Sequence, residues 1–304
     1  MERRGFIKRL GLGAAAVSAA STLSLPAFAK GNVAAAPFKL DFAPHFGMFK
    51  QHAPGGLVDE LRFMADQGFR SLEDNGLLKR PLAEQELIGK TLDQLGMRMG
   101  VFVVDGGDNW KVSLASGKQE FLDNFVATCK ASVEAAKRVN AKWMTVVPGY
   151  FERNLPIGVQ TGHVIDALKR GAEIFEPQGL AMVLEPLSDN PDLFLRHADQ
   201  TYMICRAVGS PACKLLYDAY HMQRNEGNLI ATMEKTWSEI AYIQIGDNPG
   251  RKEPGTGEIH YGNVFQYIHK KGFTGILGME HGNALPGKEG ELALIDAYRK
   301  VDVK

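Results

Sequence analysis

Eight times along this chain a short run rich in β-branched, aromatic and other apolar residues gives way to a polar loop and then to an amphipathic helical stretch. The strand-like runs occupy residues 38–42, 69–72, 97–104, 143–147, 181–187, 214–217, 242–245 and 275–279. Helical patterns follow over 57–67, 83–95, 118–139, 162–176, 198–208, 228–240, 263–271 and 289–301. This alternation calls for parallel pairing, because each helix carries the chain back to begin the next strand alongside the last. Several helical patterns close on a glycine just before the next strand (Gly68, Gly96, Gly179, Gly209 and Gly272), where a left-handed residue ends a helix cheaply. The roughly 275 residues from 30 to 304 match one eightfold barrel and leave no room for a second domain. The expected fold is therefore α/β, a single (β/α)₈ TIM barrel. An open doubly wound sheet is the competing arrangement, but no Gly-x-Gly-x-x-Gly follows the first strand to support a dinucleotide site.

Residues 1–29 differ from the rest. Arg3-Arg4 precedes Phe6-Ile7-Lys8, and an apolar run of small residues extends from Gly11 to Phe28, ending in Ala27-Phe28-Ala29. This pattern reads as a twin-arginine export signal with cleavage after Ala29. Serines dot the run and Pro26 interrupts it, so it is a poor membrane anchor. The expectation is a periplasmic protein, exported already folded, with no stable membrane association once the signal is removed.

The whole chain balances 35 basic against 35 acidic side chains; without Glu2, Arg3, Arg4, Lys8 and Arg9 it has 31 against 34, a net charge of −3. Such a surface has no general attraction for nucleic acid. Cys129, Cys205 and Cys213 form no Cys-x-x-Cys pair, and they read as buried small residues, with a Cys205–Cys213 bridge as the alternative. The partner expected is a small-molecule substrate, and exposed barrel faces could also pair copies of the chain.

Active sites of parallel barrels gather at the carboxyl ends of strands, so polar residues that finish apolar runs are the ones to examine. Glu185 ends Met182-Val183-Leu184, Asp218 ends Leu215-Leu216-Tyr217, Gln244 interrupts Tyr242-Ile243-Ile245, and Glu280 ends Ile276-Leu277-Gly278-Met279. One such acid reads as half of a buried ion pair. Three acids and an amide at equivalent places in consecutive units read as a divalent-metal site, because a cation offsets the repulsion among carboxylates. An all-oxygen set suits Mg or Mn, with Zn or Co as alternatives. His221 and Arg251 follow two of these strands and are candidates to orient substrate, Arg251 by a two-pronged grip on a carboxylate. His45 and Glu73 follow the first two strands and are candidates for the opposite wall, with Phe46, Trp110 and Tyr150 as its apolar part, while Glu258 lies on the Glu253-Pro254-Gly255-Thr256-Gly257 turn.

At these residues the chain resembles the hydroxypyruvate isomerase family, within the group of xylose-isomerase-like barrels that also includes ketose epimerases. The resembling stretches are Leu184-Glu185-Pro186, Tyr217-Asp218-Ala219-Tyr220-His221-Met222-Gln223, residues 243–259, and Met279-Glu280. The resemblance implies that Glu185 and Glu280 act as the acid/base pair and reach the metal together with Asp218 and Gln244. It also favours the isomerase branch, because related epimerases usually carry histidine where Gln244 stands. The reaction implied is interconversion of a small hydroxy-oxo acid, of the hydroxypyruvate or 2-hydroxy-3-oxopropanoate type, by enediol proton transfer. The alternative is a periplasmic sugar or keto-sugar epimerase on the same metal site. An abasic-site endonuclease would need a histidine-rich mouth and a basic groove, and a solute-binding protein two lobes and a hinge; the sequence offers neither.

Overall fold

The computed structural model describes residues 35–304, so the export-signal expectation lies outside the described residues. Within them the strands are β1 (Asp41–Ala43), β2 (Ser71–Leu72), β3 (Arg98–Met99), β4 (Phe102–Val103), β5 (Trp143–Val146), β6 (Ala181–Leu184), β7 (Cys213–Asp218), β8 (Ile240–Ile245) and β9 (Ile276–Met279). Seven form one parallel sheet in the order β1-β9-β8-β7-β6-β5-β4, so the last strand returns to lie beside the first. The curl of this sheet is that of the expected TIM-barrel architecture. The ladder differs from eight equal strands, however, because β2 and β3 pair separately, and one bridge, His45 with Glu73, joins the segments just past β1 and β2.

The expected third strand, 97–104, is split into β3 and β4 around Gly100, a position with no room for a side chain. A side chain there would place its Cβ 2.4 Å from the Tyr242 hydroxyl oxygen and 3.0 Å from the Leu72 carbonyl oxygen. The Tyr242 phenol thus reaches from β8 to the opposite wall and fills the space a side chain at position 100 would need.

Helices α1 (Leu57–Asp66), α2 (Leu82–Leu95), α3 (Gln119–Val139), α4 (Ile157–Phe175), α5 (Ala198–Val208), α6 (Ala219–Asn225), α7 (Leu229–Thr236), α8 (Tyr261–Lys270) and α9 (Gly287–Val301) surround the sheet. In α3 the buried residues Phe125, Cys129, Ser132, Val133 and Ala136 recur at three- and four-residue spacing, which makes one apolar stripe for the sheet to cover. Gly96 and Gly209 end α2 and α5 at φ 63° and 69°, as the sequence pattern predicts. The short helix α6, which carries His221, was not expected. Asp218 Oδ1 nucleates it by accepting the amides of Tyr220 at 2.6 Å and His221 at 3.2 Å. No helix among the described residues is long and apolar enough to cross a membrane. The three cysteines are buried and free.

Two apolar layers follow from the strand period of two. Leu215 and Tyr217 belong to the large outer core shared with the helices, whereas Leu216 packs with Ala43, Val101, Val183, Tyr242 and Ile276 in a separate inner cluster. One pleat further along the inward face come Glu185, Asp218, Gln244 and Gly278, and one more brings Glu280. The sequence position of each polar residue therefore fixes the side of the sheet it faces.

Candidate active site

At the carboxyl ends of β6 to β9, Glu185, Asp218, His221 and Glu280 each place one potential ligand atom within 4.8 Å of all the others. Asp218, His221 and Gln244 are fully buried and Glu185 is nearly so. Four oxygens in this group have no hydrogen-bond partner: Glu185 Oε1, Asp218 Oδ2, Gln244 Oε1 and Glu280 Oε2. Unpaired buried acceptors are costly and rare. That all four residues singled out at strand ends carry one is the feature a divalent cation would explain, and the donor set fits such an ion. In Asp218 the two oxygens divide the work, since Oδ1 caps α6 while Oδ2 is left free.

Some of the required positive charge comes from Arg251. Its Nη2 lies 3.0 Å from Glu280 Oε2 and 3.6 Å from Asp218 Oδ2, close enough for ion pairing. Neither contact is a hydrogen bond, the Asp218 contact being too long, so both oxygens lack a hydrogen-bond donor. Its Nε donates to the Glu280 backbone carbonyl, and the guanidinium lies over the Tyr220 ring at 4.9 Å. Arg251 holds this position from a left-handed backbone, φ 49°, in a loop tied down by Asp247, whose carboxylate accepts the amides of Gly255, Gly257 and Ile259. Burial lowers the Arg251 guanidinium pKa, but Glu280, Asp218 and Glu185 outweigh that effect and raise it.

Burial, reinforced by the neighbouring acids, pushes Glu185 and Glu280 well above the usual carboxylate range. Burial also lowers the pKa of His221, favouring the neutral ring. Arg251 Nη2, which can only donate, lies 3.1 Å from His221 Nε2, so that nitrogen accepts and the proton sits on Nδ1, 2.8 Å from Ser188 Oγ. The Ser188 amide, 3.2 Å from Nδ1, favours the opposite tautomer. The ring is thus held between two donors that cannot both be satisfied.

Glu73 was expected to line the pocket; instead it is buried behind Gln244, 1% exposed. Its Oε1 accepts from Gln244 Nε2 at 2.9 Å and from Asn75 at 3.3 Å, and its Oε2 accepts from the Tyr242 hydroxyl at 2.9 Å. Desolvation raises its pKa to about 7, against these three hydrogen bonds. Asn75 also donates to Glu280 Oε1 at 3.1 Å, joining this group to the acid cluster. Asn75, Ser188 and the Tyr242 phenol were not singled out from the sequence.

The other candidates lie further out. The His45 ring nitrogens face the carbonyl oxygens of Phe46 and His281, so a neutral ring donates to only one of them. Glu258 is exposed and accepts from Asn248 and Gln223, bracing its own loop. Trp110 is 54% exposed, Phe46 lies beneath the Arg80 guanidinium, and Tyr150 accepts a hydrogen bond from Asn190.

Residues 61–300 match the model of the xylose isomerase-like TIM barrel family, and the chain belongs to that family of enzymes. Its curated relatives include hydroxypyruvate isomerase of Escherichia coli, 29% identical over 64% of this chain and 74% of the relative. They also include 2-oxo-tetronate isomerase of Cupriavidus necator, 28% identical over 77% of this chain and 89% of the relative. Among solved structures, an AP endonuclease, family 2, from Brucella melitensis superposes with a TM-score of 0.73 at 22% identity, covering 85% of this chain and 99% of that one. A 3-keto-D-glucoside 4-epimerase from E. coli gives 0.70 at 19% identity, covering 86% and 99%. At these identities the structural likenesses establish the fold alone.

Proposed function

We propose that this chain is a metal-dependent isomerase that interconverts a small hydroxy-oxo acid of the hydroxypyruvate or 2-hydroxy-3-oxopropanoate type by enediol proton transfer between Glu185 and Glu280. The observation that carries this reading is the set of four buried oxygens without a hydrogen-bond partner on Glu185, Asp218, Gln244 and Glu280, of which only those of Asp218 and Glu280 have the Arg251 guanidinium within ion-pair reach. The curated relatives named as isomerases of hydroxypyruvate and 2-oxo-tetronate support the substrate class.

Glu185, Asp218, Gln244 and Glu280 would hold the cation, and an oxygen-only set suits Mg or Mn. Once bound, such an ion supplies electrostatic stabilisation to the substrate carbonyl and its neighbouring hydroxyl as negative charge develops on them. One glutamate takes the carbon-bound proton and a proton is returned to the adjacent carbon by it or by the other, while the hydroxyl proton passes to the former carbonyl oxygen; a buried and a half-buried carboxylate in one cluster suit the carbon proton transfer. Arg251 grips the substrate carboxylate through its guanidinium. Its withdrawal from His221 frees Nε2, and the Ser188 amide then favours the tautomer in which Nε2–H donates to a substrate oxygen. The Arg3-Arg4 segment supports a further part of the proposal, export of the folded chain to the periplasm; replacing both arginines by lysine should retain the protein in the cytoplasm.

The test is metal analysis of the purified protein, followed by incubation in deuterated water with hydroxypyruvate, 2-oxo-tetronate and a panel of ketoses. Metal-dependent isomerisation of an oxo acid with deuterium entering a carbon-bound position is the expected result. Absence of both metal and exchange overturns the proposal, and turnover of ketoses alone replaces it with an epimerase.

A further inference from the structure

Resting on the metal-site reading above, we infer that Glu73 is a positioning residue that sets the orientation of the Gln244 amide, turning its oxygen rather than its NH₂ group toward the acid cluster. The two ends of a glutamine amide are nearly the same shape, so packing alone does not choose between them. With Glu185, Asp218 and Glu280 ionised, as cation ligands must be, electrostatics would choose the wrong one, because three carboxylates attract the NH₂ donor and repel the oxygen. The structure nevertheless has Nε2 on Glu73 Oε1 at 2.9 Å and leaves Oε1 of Gln244 buried and free. A competing acceptor on the far side must therefore outbid the cluster, and Glu73 is that acceptor.

The position of Glu73 is itself determined from three directions. Tyr242, two residues before Gln244 on β8, donates its hydroxyl to Oε2 at 2.9 Å. Asn75 donates to Oε1, with the same amide group also reaching Glu280. Gly278, paired with Gln244 in the β8–β9 ladder, leaves the space: a Cβ there would lie 1.8 Å from Glu73 Oε2. Glu73, Tyr242, Asn75 and Gly278 thus hold a neutral amide as an oxygen ligand before any ion arrives, as outer partners commonly do for metal ligands.

The experiment is calorimetric titration of Mn²⁺ into the full chain, with thermal melting of each metal-free variant alongside. Glu73→Gln should weaken Mn²⁺ binding roughly 10–100-fold, the usual cost of losing such a partner. Adding Gln244→Glu reverses the donor and acceptor of the pair and should restore affinity to within about tenfold of wild type. Should Glu73→Gln fail to fold, Tyr242→Phe, which removes one support of Glu73, must still weaken Mn²⁺ binding severalfold. Wild-type affinity in Glu73→Gln or in Tyr242→Phe overturns the inference while leaving the metal site intact, as does a double variant no better than the single. Failure of the wild type itself to bind Mn²⁺ or Mg²⁺ overturns the metal reading and this inference with it.

Discussion

Arg251 Nη2 lies 3.0 Å from Glu280 Oε2 and provides positive charge at the edge of a cluster of buried acids. A guanidinium and a bound divalent cation would neutralise the same carboxylates, so each should matter most when the other is absent. Removing one partner of a buried ion pair typically costs about 3–5 kcal/mol, and partial exposure of Arg251 puts Arg251→Gln nearer 2–3. At about 2–4 °C per kcal/mol, the metal-free variant should melt roughly 4–12 °C below wild type. Saturating Mn²⁺ should raise the melting temperature of the variant more than that of wild type. Equal increments in differential scanning calorimetry would show that Arg251 and the ion do not share the site.

Glu185→Gln and Glu280→Gln keep the shape of each side chain and remove its capacity to carry a proton. Each should lower kcat by about 10²–10⁴, the usual contribution of general acid–base catalysis. The two should differ in what survives: the glutamate that first takes the proton is needed for deuterium exchange into unreacted substrate, whereas loss of its partner can leave that exchange in place. Following exchange by NMR therefore ranks the pair, and intact turnover in both variants would remove them from the mechanism.

The inward-facing set could be read from the sequence because it obeys a local rule. Glu185, Asp218 and Gln244 stand two residues beyond Val183, Leu216 and Tyr242 of the inner apolar layer, and the strand period alone puts them on the same face. Glu73 shares a face with Ser71 by the same strand period, yet its role was hidden because two of its three partners, Tyr242 and Gln244, come from β8, about 170 residues away in sequence, and their hydrogen bonds run across the interior. Gly100 and Tyr242 were missed for a related reason, since the phenol that leaves no room for a side chain at position 100 comes from the opposite wall. The placement of Arg251 depends on a left-handed backbone that the loop around Asp247 imposes and that no periodicity encodes.

Gly278 offers a test of the same region by crowding. Its missing side chain makes room for Glu73, and alanine there would meet the carboxylate oxygen at 1.8 Å. Gly278→Ala should destabilise the protein by about 1–3 kcal/mol, as overpacking does, and displace Glu73 from Gln244. Urea unfolding reads the first effect and Mn²⁺ titration the second. Unchanged metal affinity in a destabilised variant would mean that Glu73 tolerates the shift without releasing the amide.

The buried imidazole of His281 should make stability depend on pH. Its Nδ1–H donates to the Gly282 carbonyl and its Nε2 accepts from the Tyr298 hydroxyl at 2.7 Å, an arrangement that requires the neutral ring. Burial lowers its pKa to about 3, against about 6.5 in the unfolded chain. Between these values the unfolded state binds the proton and the folded state does not, so this contribution is complete above about pH 7 and is lost as pH falls toward 3. From pH 7 to pH 5 the loss amounts to about 2 kcal/mol. Glu73, raised to about 7 in the fold, works in the opposite sense over the same range, as do Glu185 and Glu280, while His221 works in the same sense, so the wild-type profile alone mixes these groups. Comparison with His281→Gln separates them, because glutamine can make both hydrogen bonds without titrating. The variant should lose about 2 kcal/mol less than wild type between pH 7 and pH 5 in urea unfolding, whatever its stability at pH 7, and parallel pH profiles would show that His281 is protonated as readily folded as unfolded.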